Sequence, residues 1–237
     1  IPVKSNDVKL PFHTIPVGIV FKGEVCITIS FHKTEMLSDF VTYTKPKNIN
    51  IKDNFHLVLK LLLSSSVWFL KYLKQTNQKI KLAEDNLEKS IKNEELQALL
   101  QIEKCLVFFM TSLKGNDILL HRIKNIKSQR EHFDLDLLED VEIELRQAQE
   151  TTNIYSDILT GTMDAYASVI SNNMNTIMKQ MTSISIILMI PTLIASLYGM
   201  NVPNNLQGNK YGIWIVIAVS VLLSAFGVFL FKRKRWF

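Results

Sequence analysis

Two apolar runs, Met181 to Leu197 and Ile213 to Phe231, dominate the last quarter of the chain, and between Gln180 and Phe231 the only charged side chain is Lys210. An Asp, Lys or Arg at bilayer depth costs about 3 kcal/mol, so such a charge-free stretch reads as two membrane spans joined by a short loop. The first run, at 17 residues, lies at the short end of the roughly 17–25 needed to cross the hydrocarbon core, and Lys179 and Gln180 can extend it at the interface. The second, at 19 residues, crosses unaided. The alternative for these runs is a helical hairpin buried in a soluble protein. Lys232, Arg233, Lys234 and Arg235 follow the second run directly, and such clusters stay on the cytoplasmic side. Two spans return the chain to the side it came from, so both termini are expected in the cytoplasm and the loop from Asn201 to Gly212 outside.

Upstream of these runs the composition is that of a soluble region. The net charge of +5 is that of the whole chain, and no nucleic-acid partner is expected. Cys26 and Cys105 lie on segments of different character, without the further thiols a zinc site needs, and are expected to be reduced. The histidines His13, His32, His56, His121 and His132 show no metal-ligand spacing. No nucleophile elbow, P-loop or dinucleotide fingerprint occurs, so an enzymatic reading has no residues to rest on and no prosthetic group is expected.

Residues 15–30 are β-branched on both sides of Lys22-Gly23-Glu24, a hairpin signal. Two strands alone are marginal, so this piece is expected to complete a sheet whose other strands precede Ile1, a start that itself suggests a fragment. From about Lys52 the apolar period becomes helical, through Leu61, Phe69 and Leu73 to Leu87, with a break near Ser90 to Lys92. Asn93 with Glu94 and Glu95 marks a second helix start, and Gly115-Asn116 its stop; two antiparallel helices are implied. After Ser128 no proline occurs before Pro191, and Gly161 is the only glycine. One helix of about 100 Å can therefore run from near Phe133 into the membrane. Its acidic start, with Asp134, Asp136, Glu139, Asp140, Glu142, Glu144 and Glu150, reads as a solvated face or as a counterpart to the basic tail. The expected domains are residues 1–50, 51–180 (cytoplasmic helices and stalk) and 181–237 (two spans and tail).

Along the stalk, steps of seven give Asp157, Asp164, Ser171, Met178, Ser185 and Thr192, and a second series gives Gly161, Ser168, Asn175, Thr182, Met189 and Ser196. Neither contains Leu or a β-branched aliphatic. Such a stripe suits a helix whose copies surround a wet axis, and equally a dry seam between helices in lipid.

Tyr198-Gly199-Met200-Asn201, preceded by Pro191-Thr192-Leu193-Ile194-Ala195 and by Ser171-Asn172-Asn173-Met174-Asn175 with Met178-Lys179, resembles the CorA family of magnesium transporters, strongly from Asp157 to Phe237 and more weakly upstream. The resemblance implies a mostly α-helical membrane protein: a remnant of a cytoplasmic αβα domain within residues 1–50, a long stalk, two C-terminal transmembrane helices and a homopentamer in the cell inner or plasma membrane, surrounded by lipid. It implies a selectivity filter of Gly199, Met200 and Asn201, with Asn201 greeting the ion. The pore lining it implies is Asn175, Met178, Met181, Thr182, Ser185, Met189, Thr192 and Ser196. Mg²⁺ is then the substrate, with Co²⁺ and Ni²⁺ as secondary cargo, and cytosolic Mg²⁺ at Asp164 a regulatory ligand that closes the pore. A zinc or other divalent-metal transporter of the same superfamily and a non-conducting membrane-tethered scaffold are the alternatives. Two departures from the family pattern stand out: the external loop carries Lys210 and no acid, and Ser64-Ser65-Ser66 stands where some relatives bear carboxylates.

Overall fold

The computed structural model describes residues 1–5, 10–23, 25–44, 51, 53–89, 93–125, 134–201 and 208–234. The expected helix break at 90–92, the start at Phe133, His132, Glu24 of the hairpin turn, most of the external loop and the end of the tail lie outside them. By contacts the chain divides into two compact units, Ile1–Met163 and Asp164–Phe237.

The first unit opens with two short antiparallel ribbons. Strands β1 (Pro2–Lys4) and β2 (Phe12–Thr14) pair with Val3 opposite His13; β3 (Val17–Lys22) and β4 (Val25–Ser30) pair with Lys22 opposite Val25. The second ribbon is the hairpin read from the sequence, and Gly23 at its turn takes a positive φ of 63°, a conformation open to glycine without strain. Val20, Val25, Ile27 and Ile29 are exposed on it. The first ribbon was not expected, because three-residue strands are too short to show alternation.

Four helices complete the unit: α1 (Glu35–Thr44), α2 (Asn54–Lys89), α3 (Asn93–Asn125) and the first part of α4 (Leu135–Gly199). Thr34 caps α1 through the Leu37 amide at 3.1 Å, Asp53 caps α2 through the His56 amide at 2.7 Å, and Asp134 caps α4 through the Leu137 amide at 3.2 Å. Each hydroxyl or carboxylate thus accepts from an otherwise orphaned N–H of a first turn. Helices α2 and α3 are antiparallel, as expected: Asn86 meets Glu95 near the turn, Phe69 meets Phe109 edge-on further out, and Asn116 reaches Ser65 beyond that.

The stop expected at Gly115-Asn116 is wrong. Helix α3 runs ten residues past Gly115 to Asn125. A helical glycine costs about 1 kcal/mol against alanine, whereas the continuation buries Leu120 and Ile123, each worth roughly 1.5–3 kcal/mol.

The core of the unit gathers around Phe12, which stacks on Tyr72 with ring centroids 4.7 Å apart and lies beside Phe109. The Cys105 thiol donates to the Phe12 carbonyl at 3.0 Å, tying β2 to α3. Lys4 bonds Glu35 at 2.9 Å and holds its carboxylate below the usual range, while burial and then Glu35 itself push the Tyr72 phenol well up. Toward α4, Lys124 pairs with Glu142, Gln149 donates to the Leu113 carbonyl, and Thr162 donates to Glu84.

The second unit holds the rest of α4 and α5 (Gly212–Arg233). Helix α4 is continuous for 65 residues, through Pro191, to Gly199, about 100 Å at 1.5 Å per residue.

Candidate functional site: the seam of α4 and its Gly-Met-Asn end

Among the described residues, helices α2, α3, α4 and α5 are each long and apolar enough to cross a membrane. Burial separates them. The most apolar windows of α2 and α3 are 61% and 33% buried within the protein, against 6% for those of α4 and α5. Met181, Leu188, Leu193, Leu197, Trp214 and Leu222 are exposed together in the second unit, an apolar surface far beyond what a monomer leaves in water.

Within this hairpin α4 has two distinct faces. Ser183, Ile187, Ile190, Ile194 and Tyr198 are buried or half-buried and recur every three or four residues, one stripe of a helix. The stripe packs on α5: a methyl group at Gly227 would lie 3.6 Å from Ile187 Cγ1 and 3.7 Å from Ile190 Cδ1. Asn175, Met178, Met181, Thr182, Ser185, Met189, Thr192 and Ser196 are all exposed. At 100° per residue they centre on a direction roughly 180° from the α5-facing stripe. The eight side chains therefore share the face that α5 leaves open.

Two of the four hydroxyls on that face, those of Ser185 and Thr192, are oriented by the helix. Ser185 donates to the Met181 carbonyl at 2.9 Å and Thr192 to the Leu188 carbonyl at 3.0 Å. With their protons committed to the helix, these oxygens offer lone pairs outward. Their outward face is that of an acceptor.

Gly199 is the last residue of α4, and Met200 and Asn201 follow it exposed. The positive-φ glycines among the described residues are Gly23 and Gly208, so Gly199 is not one of them, and a Cβ there would meet nothing within 4 Å. Nothing in the single chain demands glycine at this position. Beyond Gly208, the Asn209 side chain accepts from the Tyr211 amide at 3.0 Å as α5 begins.

The profile of the CorA-like Mg²⁺ transporter protein family matches residues 2–233. The chain belongs to that family. It is similar to the cobalt/magnesium transport protein CorA of Methanocaldococcus jannaschii, 28% identical over 233 residues that cover 94% of this chain and 72% of the relative. It is also similar to the cobalt/magnesium transport protein CorA of Thermotoga maritima, 28% identical over 166 residues, 69% of this chain and 47% of that one. The solved CorA magnesium transporter from M. jannaschii superposes with a TM-score of 0.73 at 24% identity, over 95% of this chain and 77% of that one, which establishes the shared fold.

Asp164, the first residue of the second unit, is exposed on α4, as is Asp157. Among the described residues no group of three or more His, Cys, Asp or Glu side chains converges as a metal-binding set. The acids at the start of α4 have local employment: Asp134 caps the helix with the buried His56 at 3.9 Å, and Glu142 pairs with Lys124. Ser65 and Ser66 are buried; Ser65 accepts from Asn116 of α3, and Ser66 donates to the Leu62 carbonyl of its own helix. The oriented hydroxyls and the α5-facing stripe escaped sequence reasoning. Helix α5 before Lys232 is apolar apart from Ser220 and Ser224, and these with Gly227 recur at spacings of four and three, a small-residue face of the kind that marks helix contacts in lipid and the signal that could have found the side meeting α4.

Proposed function

We propose that this CorA-family chain assembles as a homopentamer in the cell membrane, with both termini cytoplasmic, and conducts hydrated Mg²⁺ inward along an axis lined by α4. The observation that carries this reading is the open face of α4, where eight mostly small, polar or methionine side chains lie opposite the α5 contact. Mg²⁺ binds oxygen at about 2.0–2.1 Å in near-ideal octahedra and gives up water reluctantly. The seam inside the spans has no carboxylate to replace that shell. Hydroxyls whose protons are held by the helix accept from the outward-pointing hydrogens of coordinated water, so the ion is recognised through its shell.

At the outer end, a ring of Asn201 amides supplies acceptors of the same kind, next to Gly199 and Met200. Because one chain leaves open space around Gly199, the need for glycine there arises where copies crowd the axis. Met178, Met181 and Met189 form apolar constrictions that close by dewetting, and the intervening Asn175, Thr182, Ser185, Thr192 and Ser196 keep the remaining path wet. An inside-negative potential of 100 mV supplies roughly 4.6 kcal/mol for a divalent ion, so entry needs no nucleotide. Cytosolic Mg²⁺ at Asp164 favours the closed arrangement by binding it more tightly. The absence of His and Cys from the seam favours Mg²⁺ over softer cations, with Co²⁺ and Ni²⁺ as lesser cargo.

Uptake into liposomes loaded with a Mg²⁺-sensitive dye, at a set inside-negative potential, tests the reading. Flux that rises with potential is expected. Intact pentamers without flux would leave the scaffold reading, and preference for Zn²⁺ in competition would leave the zinc transporter.

A further inference from the structure

One side of the α4–α5 hairpin is an open apolar groove that ends at a cation. At its basic end a cleft of about 450 Å³ is lined by Ile184, Ile187 and Leu188 of α4 and by Val228 and Lys232 of α5. A second cleft of about 540 Å³, with Pro191, Ala195 and Ala225 in its walls, shares Val228 with the first. The two meet at Val228 and are taken together as one furrow. Its α5 wall runs from Lys232 up to Val216, about 24 Å at 1.5 Å per residue, longer than one leaflet of a hydrocarbon core roughly 30 Å thick.

The charges around the furrow are one-sided. After Asp164 the chain contains no Asp or Glu, yet it carries Lys179, Lys210, Lys232, Arg233, Lys234 and Arg235. Lys232 stands at the mouth of an apolar cleft with no carboxylate anywhere along the membrane hairpin to neutralise it. A cation at the polar rim, continued by a furrow of leaflet depth, matches a lipid whose head is an anion and whose tail is a hydrocarbon chain. The membrane hairpin of a second copy would fill the apolar part but bring no anion of its own, since every copy is free of Asp and Glu after Asp164.

We propose that the α4–α5 furrow holds one anionic phospholipid from the leaflet at the basic end of the hairpin, its phosphate on Lys232 and an acyl chain along Ile184, Leu188, Val228 and Ala225. The lipid bridges the ion-facing helix to its outer partner. This rests on α4 and α5 crossing the membrane and is independent of conduction.

The test is native mass spectrometry of the delipidated, full-length assembly titrated with phosphatidylglycerol or phosphatidylcholine. Retention of phosphatidylglycerol at least several-fold above phosphatidylcholine is expected. Lys232→Gln should erase that preference, Lys232→Arg should keep it, and Ala225→Phe should lower retention of both lipids with the oligomer intact. Equal retention of the two lipids by the unaltered protein overturns the proposal, as does retention unchanged by Ala225→Phe. Dissociation of the assembly by Ala225→Phe also overturns it, because a neighbouring copy then fills the furrow. Dye uptake measured on the same samples separates the readings: selective lipid retention without flux counts against transport alone.

Discussion

In the proposed pathway Asn201 is a neutral residue at the point where the cation is selected, and its worth there depends on being one of several. A single amide oxygen accepting one hydrogen bond from a coordinated water contributes about 1.5–3 kcal/mol beside a charge; a ring multiplies this. Asn201→Ala should bring Mg²⁺ uptake down to the level of protein-free vesicles while leaving the oligomer unchanged by size-exclusion chromatography, and undiminished uptake would remove Asn201 from the mechanism. Cys105 shows the opposite case, a residue whose role no local pattern reveals. Its thiol is buried, donates to the Phe12 carbonyl, and is pushed up in pKa by burial, whereas Cys26 is partly exposed. The thiolate is the reactive form, so iodoacetamide at neutral pH should label Cys26 alone in the folded protein and both cysteines in denaturant. Equal rates in the folded protein would contradict the packing of β2 on α3. The sequence pointed to Asn201 through a local tetrapeptide, whereas Cys105 was illegible because its partner lies 93 residues away.

At the scale of elements, α4 combines a packed stripe and an open stripe on one rod, and Met189 sits on the open one. If its ring closes the path by excluding water, charge there should wet it. Met189→Asp is expected to raise conductance at high internal Mg²⁺ well above the background of the unaltered protein; currents that stay at background would count against an apolar constriction at this level. Long periodic elements were legible, as α2, α4 and α5 show, because many weak preferences add along a helix. Short ones were not: β1, β2 and α1 are fixed by contacts remote in sequence, such as Lys4 to Glu35 and Glu35 to Tyr72. Gly115-Asn116 misled for a related reason. Read locally, the pair ends a helix, but Asn116 reaches Ser65 on α2 while Leu120 and Ile123 beyond it are buried, so tertiary packing outweighs the glycine. The open face of α4 was legible as a seven-residue stripe, but that α5 packs on the opposite side of the rod rests on contacts such as Gly227 with Ile187 and Ile190, some forty residues apart in sequence.

At the scale of the molecule, one helix belongs to both compact units: α4 begins at the Asp134 cap in the first and ends at Gly199 in the second, with Asp164 the first residue past the boundary. A regulatory ion at Asp164 would therefore act on the rod that also lines the proposed path, without a separate transmitting element. A lone exposed carboxylate binds Mg²⁺ feebly, since the ion keeps its waters unless several oxygens replace them. The sensor must then be completed from a neighbouring copy, and the ion stabilises whichever assembly brings those oxygens together. Protection of the cytoplasmic region from protease should accordingly rise with Mg²⁺. Asp164→Ala should move the midpoint of that rise to about tenfold higher Mg²⁺, a loss of about 1.4 kcal/mol. Asp157→Ala, two turns earlier on the same rod, should leave the midpoint in place. Superimposable curves for Asp164→Ala and the unaltered protein would take the sensor away from Asp164, and equal shifts for both variants would mean that the general negative charge of the stalk, rather than a site, holds the ion.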